Sequence, residues 1–573
     1  MRRRHAYRLR ERGGRDARLL PAAAAVWSVL LAEYMLFDTV GMHWLAVASV
    51  APAVVLGIAA VIVVMSSRSV PTALGQGLWH GAVVIGAACC ALVSGGFHDL
   101  MTAGDPMVSA ADAETGVSVL LDVTGPAMAS SLRGMDCQTD ARARGVLFDG
   151  VRSVSSARIR VYASDDACEW RQGGGYVVEG TARHARFGNR ELWLVVDDDD
   201  NAVVHVREPS WRDAAVERLR GAFLEQTDRL SGQGRILVPG LTLGVLGQDV
   251  YRPHVEADGR TADEIDETAA RLMEDDFKNS GIMHLMAVSG GHFVLVAALV
   301  RRSGTMLLIP RQVKAVGVAA AYIVLTALVY PSDSVLRAAA MGGFGVACML
   351  IGRPGQALAA LNWTVIASLL VEPELAHSYG FALSCAAVYG IVILDRPISQ
   401  ALAFLMPDAI ARATSVTIAA QIPTLPIQVM MNPRIPLLSV PANLLVAPVV
   451  SLTTLLGLAA VGVSWLVPPL GHGLVVVASA GTLLLQRCAT MLGRTRFSVL
   501  PWHDGAAGAA VMAASEAVAV LIVMLIRRLM RRWRGRESPP AADGGRSYAP
   551  TPMERLGVWW RDTRVMVFGP RRH

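Results

Sequence analysis

Charge is scarce in this chain. Only 17% of its 573 residues are Asp, Glu, Lys or Arg, against 53% hydrophobic, and the mean hydropathy is +0.41. That balance excludes an ordinary soluble domain and a disordered chain alike. Lysine is almost missing: Lys278 and Lys314 are the only two, so the basic residues are nearly all arginine. The pI near 9.1 follows from arginine clusters at both ends, as cytoplasmic ends of a membrane protein require, and by itself points to no nucleic-acid partner. No G-x-x-x-x-G-K-[ST] stretch occurs, which excludes a P-loop motor within the chain. No two histidines after His377 lie close together, so no histidine-rich metal site is expected there, and neither a metal nor a cofactor is expected elsewhere.

Long apolar runs are abundant. Residues 20–37, 44–65 and 77–97 are each apolar and long enough to cross a ~30 Å hydrocarbon core. The arginine-rich stretch 1–19 ahead of them is expected to stay cytoplasmic. Nine further spans are expected near 281–300, 313–330, 335–351, 356–371, 378–394, 414–431, 437–463, 470–491 and 511–526. The total is about twelve, with both termini cytoplasmic. Arg301, Arg302, Arg311, Lys314, Arg353, Arg396, Arg412 and the cluster at 527–536 then fall inside, while Arg494 and Arg496 run against the trend. The fold class expected is therefore a polytopic α-helical membrane protein.

One polar segment, 104–210, interrupts this pattern. Alternating or β-branched runs at 117–123, 157–162, 176–181, 191–196 and 202–206 are separated by Gly, Asp and Asn, as expected of five short strands. A small extracytoplasmic β-barrel of the oligonucleotide-binding (OB) kind fits that count. Cys137 and Cys168 are the pair of cysteines in this segment, where disulfides persist; a bridge is the favoured reading and two free thiols the alternative. Cys89, Cys90, Cys348, Cys385 and Cys488 fall in spans and read as small hydrophobes. Residues 211–280 are expected to be amphipathic or interfacial connecting helices, 281–526 the main transmembrane domain, and 527–573 a basic, unstructured cytoplasmic tail with an amphipathic Trp559–Trp560 patch.

The stretch Ser280-Gly281-Ile282-Met283-His284-Leu285-Met286-Ala287-Val288-Ser289-Gly290-Gly291-His292 places two imidazoles, a serine and paired glycines inside an apolar run. Imidazoles are costly in hydrocarbon unless they face a partner or a water-filled cavity, and a broken helix is tolerated only where it lines protein or such a cavity. A pathway lined by His284, Ser289, Gly290, Gly291 and His292 is one reading. The other is close helix packing at the glycines, with polar groups bonded across helices.

This stretch resembles the signature of the ComEC family of competence proteins, which reads approximately T-G-x-x-H-L-L-A-I-S-G-L-H; it departs at Gly291, where leucine is usual. Other blocks resemble the family in the same order. They are Leu241-Thr242-Leu243-Gly244 through Gly247 and Asp249; Ser334-Val335-Leu336-Arg337-Ala338 through Met341; Gly380-Phe381-Ala382-Leu383-Ser384; Ala420-Gln421-Ile422-Pro423 through Pro426; and Pro441-Ala442-Asn443 through Pro448. Together they cover about 236–463. The resemblance implies a channel that carries transforming single-stranded DNA across the cytoplasmic membrane. It also implies a separate DNA receptor, a cytoplasmic helicase-like motor and a strand-degrading nuclease as partners. The family's metallo-β-lactamase-like domain and its H-x-H-x-D-H ligands have no counterpart here, so the short form of the family is expected, without metallonuclease or other enzymatic activity.

Arg337, Gln421 and Asn443 join the expected path. Arg337 reads equally as a phosphate contact or an interfacial arginine, and Gln421 and Asn443, beside prolines, equally as lining or as interhelical bonds. In the β-domain Arg158, Arg160, Arg183, Arg186 and Arg190 are candidate phosphate contacts. Trp170, Trp193, Phe187, Tyr162 and Tyr176 are candidate stacking platforms or, more simply, barrel core. The run 197–200 of aspartates reads as a solvated turn. Two competing functions remain: an intramembrane serine hydrolase using Ser289 with a distant His377 or His472, and a small-solute secondary transporter.

Overall fold

The computed structural model describes residues 16–40, 57, 59, 72–185, 192–197, 202–251, 267–353 and 355–534. The expected basic N-terminus, nearly all of the expected span 44–65, Arg186, Arg190, Phe187, most of the aspartate run and the tail beyond 534 lie outside them.

Helices α1 (Leu20–Val40) and α2 (Thr72–Ala103) come first, followed by the short α3 (Pro106–Ala113). Apolar side chains of α1 and α2 pack with those of α10 (Ala357–Val371) and α11 (Tyr379–Leu402) around Val26, Leu361, Val365 and Phe381. The β-domain then runs through β1 (Gly116–Val123), β2 (Met128–Ala129), β3 (Cys137–Phe148), β4 (Val151–Val154), β5 (Arg158–Ala163), β6 (Gly175–His184), β7 (Leu192–Val196) and β8 (Val203–Arg207). Its strands close in the order β1-β3-β5-β7-β6 and back to β1, with β5 and β7 parallel and the other pairs antiparallel. This five-stranded closed barrel is compatible with an OB-like fold.

The barrel has five strands, as its periodicity predicts, but one differs. Strand β3 is missing from the expected set because its inward positions include Thr139, Ala141 and Ala143, small residues that give alternation little hydrophobic contrast. The expected strand 202–206 forms β8, which pairs only with β6 and stays off the ring. Tyr162, Trp170, Tyr176 and Trp193 are all buried, meeting edge to face as Tyr162–Trp193 and Trp170–Tyr176. Cys137 and Cys168 are joined by a disulfide.

Three polar contacts tie the barrel to the helices. Asp105, just past the end of α2, accepts from Ser155 Oγ at 2.7 Å and Ser156 N at 2.9 Å while capping α3 through Met107 N. Arg158 of β5 pairs with Glu372 at 2.8 Å, beyond the last residue of α10. Arg220, in α4 (Trp211–Asp228), donates to the carbonyls of Ala327, Leu328 and Val329, and to Gln172 of the barrel. Those carbonyls lie at the end of α8 (Arg311–Leu328), where helical carbonyls lack partners of their own.

The remaining helices are α5 (Gln233–Leu243), α6 (Glu267–Ser280), α7 (Gly290–Met306), α9 (Asp333–Ile351), α12 (Asp408–Met431), α13 (Ser439–Ser464), α14 (Pro468–Gly493) and α15 (Gly505–Arg534). Two short strands, β9 (Arg434–Pro436) and β10 (Val499–Pro501), pair between them. Among the described residues seven helices are long and apolar enough to cross a membrane: Trp79–Ala103, Arg311–Leu328, Asp333–Ile351, Tyr379–Leu402, Ser439–Ser464, Pro468–Gly493 and Gly505–Ile526. The expected count of about twelve is not confirmed: the expected span 44–65 lies almost wholly outside the described residues, and four others fall short for identifiable reasons. The apolar parts of α1 and α10 are shorter, Leu20–Leu36 and Ala357–Val371. The expected span 281–300 is split, nearly its first half lying ahead of the helix, which begins at Gly290 and bears Arg301 and Arg302. Helix α12 is long enough but carries Thr414, Ser415, Gln421, Thr424 and Gln428 along its length.

Candidate functional site

The break at 281–289 is built by glycine geometry and a cap. Helix α6 ends at Ser280, and Gly281 takes φ +73°, a left-handed conformation that side chains disfavour. A Cβ there would also stand 2.5 Å from Ser439 Cβ. A single 3-10 turn, Met283–Leu285, follows. Ser289 then caps α7, its Oγ accepting from Gly291 N at 3.3 Å, while His292 Nδ1 accepts from Ser289 N at 3.1 Å. This is a capping box with histidine in the place of the usual Glu or Gln. Because Nδ1 accepts, the proton of neutral His292 sits on Nε2, which donates to the Leu241 carbonyl at 3.1 Å near the end of α5. Thr454 Oγ1 stands 3.5 Å from the same nitrogen. His292 is only 5% exposed, so this imidazole bonds the break together.

His284 is placed differently. It is exposed on the 3-10 turn, beside the Asn443 side chain and the Gly281 backbone. Asn443 Nδ2 donates to the Ser439 carbonyl at 2.8 Å, and Ser439 Oγ donates to Gln421 Oε1 at 2.8 Å. Three of the expected path residues, His284, Gln421 and Asn443, thus come together with Ser439 between the break, α12 and α13.

Arg337 forms a second node. It is 5% exposed within α9, donates from Nε to Ser384 Oγ at 2.6 Å, and directs Nη1 to Met341 Sδ at 3.9 Å. Ser384 in turn donates to Ser334 Oγ. Its Nη2 lies 3.4 Å from where a Cβ on Gly290 would be, so the guanidinium stands against the first residue of α7. Among the described residues no carboxylate pairs with it; Asp333, one turn earlier, is engaged by Ser378 Oγ. Ser334, Ser384 and Ser439 are functional candidates that the sequence reading passed over. Two of them stand inside quoted motif blocks, but a hydroxyl in an apolar run carries little signal beside an arginine.

Among the described residues, Arg158, Arg160 and Arg183 of the β-domain are not gathered into a groove. Arg158 faces Glu372 and Glu374, Arg160 is held by Asp140 at 2.9 Å, and Arg183 is exposed near the end of β6. Tyr162, Trp170, Tyr176 and Trp193 are core. Among the described residues no group of three His, Cys, Asp or Glu is placed to hold a metal.

These features define a helical membrane protein with a polar break inside its membrane domain and a closed β-barrel in its N-terminal region. Residues 266–529 match the family model described as Competence protein, the same region that carries most of the motif blocks resembling the ComEC family. It is similar to ComE operon protein 3 of Bacillus subtilis (strain 168), with 27% identity over 228 residues, 40% of this chain and 26% of that protein. The match therefore spans about a quarter of the relative's length. No solved structure matches the chain.

Proposed function

We propose that the protein carries single-stranded DNA across the cytoplasmic membrane during natural transformation, with the path running past the 281–292 break. The observation that carries this reading is Arg337: a buried guanidinium without a carboxylate, set against the N-terminus of α7. A lone buried cation calls for an anion, and a helix N-terminus favours the same charge. The groups of the other node, His284, Ser439, Gln421 and Asn443, are neutral amides, hydroxyls and an imidazole. Groups of that kind bind a phosphate by hydrogen bonds weak enough to release it, as passage through successive sites requires. One cation followed by neutral donors favours entry without trapping the polymer.

In this reading the barrel lies outside the membrane, both termini lie in the cytoplasm, and no cofactor takes part. A separate receptor delivers DNA, a helicase-like motor draws the strand inward, and a separate nuclease removes its complement. The hydrolase alternative, Ser289 with His377 or His472 as base, finds little support, since Ser289 Oγ is engaged as a helix cap.

A photo-crosslinking amino acid at position 284, in cells taking up labelled DNA, tests the path directly. Cross-links to DNA are expected at 284 and none at the exposed, apolar position Ile323 of α8. Equal labelling at both positions, or none at 284 while uptake proceeds, contradicts the proposal.

A further inference from the structure

The β3–β4 hairpin leaves apolar surface uncovered. Its two-residue turn, Asp149-Gly150, has positive φ at both positions, the geometry that matches the twist of paired strands. Among the described residues strand β4 pairs only with β3, which leaves its other edge without a strand partner there. Val146 points into the core, which sets Gly145 and Leu147 on the outer face together with their partners Val154 and Arg152. Leu120 of β1, opposite Gly145, extends the same face. Val154 is 86% exposed, and Leu147, Leu120 and the turn-flanking Val151 are exposed as well. Soluble domains usually blunt such an edge with charge or proline.

The position of this patch identifies what covers it. Ser155 and Ser156, the residues after Val154, are the ones bonded to Asp105 just past the end of α2. The final turns of that apolar, span-length helix carry exposed Phe97, Leu100 and Met101, surface of the kind that lipid covers. Val154 is therefore one residue from the contact with Asp105, itself two residues past the end of α2 and four past Met101, so the hairpin's apolar face lies close to the end of that helix. Arg152, exposed between the apolar side chains, suits the phosphates of the headgroup layer. Addition of a strand from another protein would pair the other edge of β4 but leave Leu120, Leu147 and Val154 uncovered, because they project from the face of the sheet.

We infer that the β3–β4 hairpin docks into the headgroup layer of the bilayer and holds the barrel against the membrane surface. This needs no assumption about DNA passage. The test uses the full-length protein in vesicles of phosphatidylcholine and phosphatidylglycerol, with an environment-sensitive fluorescent amino acid at position 154 or, as reference, at exposed position 183. Lipids bearing a shallow nitroxide are expected to quench position 154 several-fold more strongly than position 183, and aqueous iodide to quench it less. Iodide quenching at 154 equal to that at 183 overturns the inference. Protection from iodide without lipid quenching overturns it too, since protein then covers the hairpin.

Discussion

Arg337 is held inside a spanning helix by a serine hydroxyl and a thioether, with the first turn of α7 beside it. A buried charge in such surroundings costs folding energy, and an apolar side chain of similar volume is often neutral or stabilising there. Arg337→Met is therefore expected to leave thermal stability in detergent unchanged or raised while DNA entry falls roughly 10–100-fold, the worth of one charge-assisted hydrogen bond. Equal loss of stability and entry would make the arginine structural. The two histidines of the motif separate in the same way. His292→Ala removes the half of the capping box that holds Ser289 N and leaves the Leu241 carbonyl without its donor, so a loss of about 2 kcal/mol is expected by thermal or denaturant unfolding. His284→Ala, at the one accessible side chain of the half-buried turn, is expected to cost less stability than His292→Ala and to reduce entry. Their spacing in the chain distinguishes neither role. The partner that decides for His292 is Leu241, some fifty residues earlier, and such a contact is illegible before the chain folds.

Among the elements, helix positions were largely legible, because apolar runs bounded by Gly, Pro and charge stand out in a chain this poor in charge. What the runs concealed was whether a helix crosses the bilayer, since that depends on length and on polar residues spread over several faces, as in α12. Strand β3 was hidden by alanine, and the five barrel strands became clear only through closure. The 3-10 element carrying Asp249 supplies a pH signature. Burial, and then the nearby Glu274 carboxylate, push Asp249 from its usual 3.8 up to about 6. The folded state thus binds this proton more tightly than the unfolded state does. The stability it contributes at low pH is lost as pH rises from about 4 through about 6. At neutral pH the ionised group costs on the order of 2 kcal/mol after allowance for its partial solvent access. Asp249→Asn is expected to raise the melting temperature at pH 7.5, with the gain vanishing near pH 4; a gain independent of pH contradicts this assignment.

At the scale of the whole molecule, the contacts of Asp105, Arg158 and Arg220 fix the barrel to the ends of helices distant in sequence. Asp105→Ala removes a buried acceptor of three hydrogen bonds. It is expected to lower stability by about 3 kcal/mol and to speed proteolysis in the 104–210 region, as measured by limited digestion. The family resemblance was legible because its motif blocks keep their order. The convergence of His284, Gln421, Asn443 and Ser439 was not, since it depends on how α12 and α13 meet the break. The central claim is that DNA crosses the membrane through this protein. The direct measurement follows labelled transforming DNA in cells lacking the protein, scoring nuclease-protected DNA outside the cytoplasmic membrane separately from DNA in the cytoplasm. Binding and protection are predicted to persist while cytoplasmic arrival is abolished; arrival at the wild-type level in the deletion strain would contradict the account.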